Sequence, residues 1–119
     1  MKQYTTSEQT AKLIELGFEK PKNTRYVQHA KARNLRSPFL EFGEPEFEGS
    51  YTIGELLSFL PENIAKENEM PSTLNISLLN GEWWVEYADF LGADFSFHNT
   101  ELIDNLFDMC KNLKEGGVI

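Results

Sequence analysis

Residues 72–89 read STLNISLLNGEWWVEYAD, and the fold class turns on how this stretch is parsed. Leu74, Ile76 and Leu78 alternate with Asn75 and Ser77, the period of a strand with one buried face. Asn80-Gly81 follows, and both residues accept the positive φ that a two-residue hairpin turn requires. EWWVEYAD then returns as the partner strand, so the spacing predicts one β-hairpin over Leu74–Ala88. Adjacent strand residues face opposite ways, which separates the two tryptophans. Trp83 keeps register with Val85 and Tyr87 and is assigned to the core. Trp84, with Glu82 and Glu86 flanking it, is assigned to the outer face, either covered by a second layer or free to anchor a partner.

Upstream lies YTIGELLSFLP, residues 51–61. Thr52 and Glu55 have capping-box spacing, with Tyr51 as the apolar residue before the cap. Ile53, Leu56, Leu57 and Leu60 recur at helical spacing, and Pro61 stops the helix or restarts it as PENI. Thr6 and Gln9 repeat the capping box for a short first helix, whose stripe of Ala11, Leu13 and Ile14 ends at Gly17 as a left-handed C′ residue. Downstream, FLGADFSFHN is read as irregular or as a short third strand near Phe95–Phe97. Asn99 or Thr100 is expected to cap a last helix over Glu101–Lys114, with Leu102, Ile103, Leu106, Phe107, Cys110 and Leu113 on its apolar face. Glu101 and Asp104 at its start and Lys111 and Lys114 at its end complement the helix dipole.

Residues 19–50 carry the weakest signal. KPKNTRYVQHAKARNLR suggests a loop or a helical turn or two around Tyr26–Asn34. SPFLEFG suggests a short strand at Phe39–Phe42, bracketed by Pro38 and Gly43, and Pro45 argues for an irregular or edge segment. Charge shifts sharply here. Up to Arg36 eight cations stand against three acids, a net +5, whereas beyond it three cations stand against sixteen acids, a net −13. Such asymmetry either recruits a charged partner or draws one half of the protein to the other.

The 119 residues fit one domain, and an apolar fraction of 40% with 13% aromatics supplies a core. A net charge of −8 disfavours nonspecific contact with nucleic acid or anionic membranes. The start MKQYTTSEQTAK lacks the apolar region of a secretory signal, no apolar run reaches membrane-span length, and one cysteine excludes an internal disulfide framework. The expected location is the bacterial cytoplasm.

Three blocks, TSEQTAKLIELGFEKP, YTIGELLSFLP and ELIDNLFDMCKNLKEGGVI, occur here in an order that resembles a family of small uncharacterised proteins from anaerobic gut bacteria and their prophage-like or conjugative mobile elements. The resemblance covers about the first 20 residues, the central helix and the last 20, with the hairpin between the last two. It implies a small cytosolic protein of unknown function and transfers no catalytic residue. This chain departs from the family by its long basic segment, roughly Asn23–Pro45, where the family has a shorter link.

Chemistry-bearing patterns are sparse. His29, His98 and Cys110 are far apart and lack metal-ligand spacing. Cys110 falls on the apolar face near the end of the last helix, where the dipole opposes a thiolate, so it is assigned to the core. Glu82, Glu86 and Asp89, or Glu101, Asp104 and Asp108, are read as solvated carboxylates. No phosphate loop, hydrolase elbow or zinc-protease motif is present, and neither a metal nor a cofactor is expected.

The expectation is one α+β domain over residues 1–119: an antiparallel sheet on the central hairpin, three helices mainly on one face, and 19–50 as a basic-to-acidic, loop-rich insertion. The leading functional expectation is a noncatalytic protein that binds another protein through Trp84, Glu82 and Glu86. A nucleic-acid-directed protein is the second, acting as a binder through Lys22, Arg25, Tyr26, Lys31, Arg33 and Arg36 or as an acidic DNA mimic. An enzyme with an unrecognised site is the third. An open edge strand would also permit homodimerisation.

Overall fold

The computed structural model describes residues 1–22, 25–27, 30–32, 40–42, 46–66 and 69–119, and for the strand residues between 25 and 48 the backbone alone. The central hairpin forms as its sequence dictates. Strand β6 (Ser72–Leu79) pairs with β7 (Glu82–Asp89) from Thr73↔Ala88 to Leu79↔Glu82. The turn between them places Asn80 at φ 52° and Gly81 at φ 78°. Strand β8 (Gly92–Asn99) joins the far side of β7, so the short strand expected at Phe95–Phe97 is extended to eight residues. Strand β5 (Asn63–Ile64) pairs with the start of β6, giving an antiparallel sheet in the order β5-β6-β7-β8. The last two residues of PENI are therefore strand; Leu60 leaves helical geometry at φ −92°, ψ 124° ahead of Pro61.

Helix α3 (Leu102–Glu115) lies across β7 and β8 and supplies the centre of the core. Ile103, Leu106, Met109, Cys110 and Leu113 are fully buried with Val85 and Tyr87 beneath them. Its N-cap is Glu101, without a side-chain cap bond, rather than Asn99 or Thr100. Asn99 still shapes the entry, because its Oδ1 accepts from the Glu101 N–H at 3.1 Å. Asn105 is buried on the apolar face and donates to the Trp83 carbonyl at 2.7 Å.

Helices α1 (Ser7–Glu15) and α2 (Ile53–Phe59) are both held at their starts by the expected capping boxes. Gly17 takes φ 100° and lets Phe18 turn back, its N–H bonding the Leu13 carbonyl at 3.1 Å. Phe18 and Phe59 then pack with ring centroids 5.0 Å apart and planes tilted by 36°. A hydroxyl chain joins the entries of the two helices. Thr10 donates to the Thr6 carbonyl, Thr5 donates to Thr10 Oγ1 at 2.7 Å, and Thr5 Oγ1 accepts from the Tyr51 N–H at 2.9 Å. Each hydroxyl proton is used once, so the buried threonines are satisfied.

The reading of Tyr26–Asn34 as helical turns is corrected. Arg25–Val27 (β1) pairs antiparallel with Glu46–Glu48 (β4), and Ala30–Ala32 (β2) with Leu40–Phe42 (β3). The pairs are nested, so basic strands return along acidic ones. Arg25 is the register partner of Glu48, and Lys31 of Glu41. These strands are ordered by pairing across the chain, which local propensity did not signal. Phe39, first residue of the expected Phe39–Phe42 strand, lies outside the described residues, as do Pro38, Gly43 and Pro45.

Candidate functional site

The sheet has two unlike faces. One carries Val85, Tyr87, Phe95 and Phe97 into the core under α3. The other carries Glu82, Trp84, Glu86, Ser77, Asn75, Ser96 and His98, all exposed or half-buried. At its centre Trp84 stacks on its register partner His98, with ring centroids 4.4 Å apart and planes 19° from parallel. Glu82 Oε2 lies 2.9 Å from His98 Nδ1, on the imidazole edge away from the indole face. Strand alternation thus places Trp84, Glu82 and Glu86 on one surface, and the third strand adds His98. Sequence reasoning had weighed His98 only for metal-ligand spacing, which it lacks. The missing signal was the full length of β8, whose register brings position 98 opposite 84.

Trp83 is half-buried against the core, on the opposite face from Trp84. Phe90 and Leu91, at the β7–β8 turn, are 78% and 79% exposed. Sequence reasoning passed over both, because an irregular reading of FLGADF does not distinguish a turn tip from a buried loop.

A second polar group closes the other end of the sheet. Lys66 Nζ donates to Asp89 at 2.6 Å and to Asp94 at 3.0 Å, and the buried Ser72 hydroxyl also bonds Asp94. Asp89 accepts in addition from the Leu91 N–H at 2.8 Å. Asp94 reaches the cluster because the β7–β8 register shifts by one residue between Tyr87 and Ala88. The hydrogen bond from Lys66 chiefly, then that from Leu91, holds Asp89 below the usual carboxylate range. At Asp94 the Ser72 hydroxyl leads and Lys66 follows, in the same direction. These bonds raise the Lys66 pKa, so it stays a cation and cannot act as a base towards Ser72. The group is a clasp on the sheet end.

The sign of its pH dependence follows directly. A carboxyl with a depressed folded pKa adds stability above its unfolded value, about 3.9 for Asp. That contribution is lost as pH falls through the lower folded value. Lys66→Ala should therefore raise the pH midpoint of acid unfolding and lower stability at neutral pH, read by circular dichroism. An acid transition superimposable on that of the wild type would show that the clasp is not linked to folding.

Other sequence candidates are dispersed. Cys110 is buried, 3.6 Å from the Leu56 carbonyl, and burial pushes its thiol pKa up to about 12. Asp104 pairs with Lys2 at 2.9 Å, and Glu101 accepts from the Lys2 backbone N–H at 2.8 Å. Among the described residues no group of three or more His, Cys, Asp or Glu side chains could hold a metal. No helix among them is long and apolar enough to cross a membrane. Of the basic candidates, Lys22 is exposed and its N–H donates to Glu55 Oε2 at 3.0 Å. Arg25, Tyr26 and Lys31 lie on the paired strands, whereas Arg33, Arg36 and His29 lie outside the described residues. Comparison of the chain with protein-family models, curated proteins and solved structures finds no match.

Proposed function

We propose that this chain is a noncatalytic cytoplasmic binding protein, an accessory factor of a bacterial mobile element, that captures a basic protein on the outer face of its sheet. The Trp84–His98 stack carries the reading: two near-parallel aromatic rings stand on a face that also presents Asn75, Ser77, Glu82, Glu86 and Ser96, with Leu79 exposed beside Glu82. Such a ring pair offers a flat, pre-ordered anchor whose side-chain entropy is already spent. Glu82 and Glu86 bracket it along the strand, so the complementary surface presents an arginine or lysine, which can stack on the indole while pairing with a carboxylate. The setting in a mobile element rests on the sequence resemblance alone.

The test is capture from bacterial lysate, with and without nuclease, by the wild type, by Trp84→Ala and by a Glu82→Lys, Glu86→Lys double variant. A protein retained by the wild type should fall roughly 30-fold or more with Trp84→Ala, the scale of an interface hot spot. The charge-reversed variant should lose it as well. Equal recovery by all three would remove the outer face as the interface. Recovery abolished by nuclease in every case would instead favour a nucleic-acid-directed role.

A further inference from the structure

Strand β6 contradicts its own sequence pattern. Its alternation predicts a buried row of Leu74, Ile76 and Leu78, yet Ile76 is 37% and Leu78 58% exposed. They do lie on the helix-bearing face, opposite Val85 and Trp83 in register, but α3 lies over β7 and β8 and leaves them uncovered. The same stretch is an open edge. Strand β5 pairs only with Ser72 and Thr73, the Glu62 carbonyl takes the Leu74 N–H at 2.9 Å, and no described residue pairs with the free side of 75–79.

The hairpin fixes which backbone groups this edge exposes. Leu79 and Glu82 close a two-residue turn and so form a hydrogen-bonded pair. By alternation Ser77 and Asn75 also point their N–H and C=O at β7, whereas Leu78, Ile76 and Leu74 point theirs outward. The bond from Leu74 to Glu62 confirms that phase. Ile76 and Leu78 therefore present two donors and two acceptors along the edge.

The two edges of the sheet are treated differently. Strand β8 carries Asp94, His98 and a register irregularity, the usual devices against edge pairing. Strand β6, STLNISLL, has no charge, proline or bulge in a chain with 25% charged residues and a net charge of −8. An uncharged edge is the place where two copies of so acidic a protein can approach without like charges meeting in the ladder.

We infer that β6 pairs antiparallel with β6 of a second copy about a two-fold axis at Ser77, joining two sheets into one. This register is the one the free groups allow. With Ser77 opposite its counterpart, Ile76 and Leu78 of one copy exchange N–H···O=C bonds with Leu78 and Ile76 of the other, and both donors and both acceptors of that pair are used. Sliding towards the strand start would require Leu74, already occupied by Glu62, and sliding the other way would run into the turn. A two-fold axis normal to the sheet keeps both helix-bearing faces on one side. Ile76 of each copy then meets Leu78 of the other, covering the apolar row that α3 leaves bare.

The register makes a sharp test possible. A symmetric Ser77 pair is a non-hydrogen-bonded pair with Cα atoms about 4.5 Å apart, within disulfide range. Ser77→Cys should form an intermolecular disulfide under mild oxidation. The wild type, whose only cysteine is the buried Cys110, and Ser96→Cys on strand β8 should not. Sedimentation equilibrium should find the wild type dimeric and Leu78→Lys monomeric at the same concentration, with unchanged circular dichroism. The exposure of Leu78 keeps that substitution compatible with the monomer fold. A wild type that stays monomeric to roughly 100 µM would overturn the inference, as would a dimer indifferent to Leu78→Lys. Cross-linking through Ser96→Cys but not Ser77→Cys would assign the interface to the opposite edge. Because the readout involves no captured protein, its outcome is independent of the role proposed for Trp84.

Discussion

Replacing Tyr51 by alanine is expected to cost about 3–5 kcal/mol of folding stability, the range for deleting a fully buried aromatic ring. Tyr51 has no solvent exposure and packs edge-on against Phe59 with ring centroids 5.5 Å apart. Its hydroxyl donates to the Glu19 carbonyl at 2.6 Å, which fixes the chain leaving α1. Its backbone N–H and C=O both bond Thr5. One residue thus joins the N-terminal segment, the exit of α1 and the start of α2. Tyr51→Phe keeps the ring and loses the hydrogen bond, so about 0.5–1.5 kcal/mol is expected from it. Chemical denaturation of the two variants separates the contributions. Tyr51→Ala within 1 kcal/mol of wild type, on the order of a surface substitution, would mean that this junction is not part of the cooperative core.

The second large effect concerns Cys110. Burial pushes its thiol to a pKa of about 12, and no part of its side chain is exposed. At pH 8 a thiol reagent should leave it unmodified in the native protein and label one thiol per chain in denaturant. Native labelling should be slower by a factor on the order of 10³ or more, because it needs an opening that exposes the core. Rapid stoichiometric labelling of the native protein would sink both the core placement of Cys110 and the assignment of α3 as the centre of the fold. It would also make Cys110 a candidate nucleophile, which its present surroundings deny it.

The parts of the fold that were legible in the sequence are those fixed by neighbouring residues. Thr6 with Gln9 and Thr52 with Glu55 form capping boxes because each needs only a hydroxyl and a carbonyl or carboxylate three residues apart. Asn80-Gly81 sets the hairpin turn, and the register of β6 on β7 follows from it. Leu40–Phe42 falls within the strand expected at Phe39–Phe42, whereas Arg25–Val27, Ala30–Ala32 and Glu46–Glu48 were missed because their order comes from pairing across the chain. Three-residue strands such as Arg25–Val27 have too little periodicity to declare themselves, and their acidic partners lie some twenty residues away.

The candidate site divides in the same way. Alternation along one strand placed Trp83 and Trp84 on opposite faces, a local consequence of the pleat. That Trp84 rests on His98, that Asp94 bulges round to Lys66, and that α3 leaves Ile76 and Leu78 bare depend on how strands and helix meet in space. By itself, then, the sequence determined the starts of α1 and α2, the central hairpin and the alternation that separates the two sheet faces. Tertiary structure alone decided which apolar residues are covered, which carboxylates gain a cation and which edge stays open. Hydrogen bonding and rotamer geometry act over a few residues, whereas burial and cross-strand register are set by whatever distant segment arrives alongside.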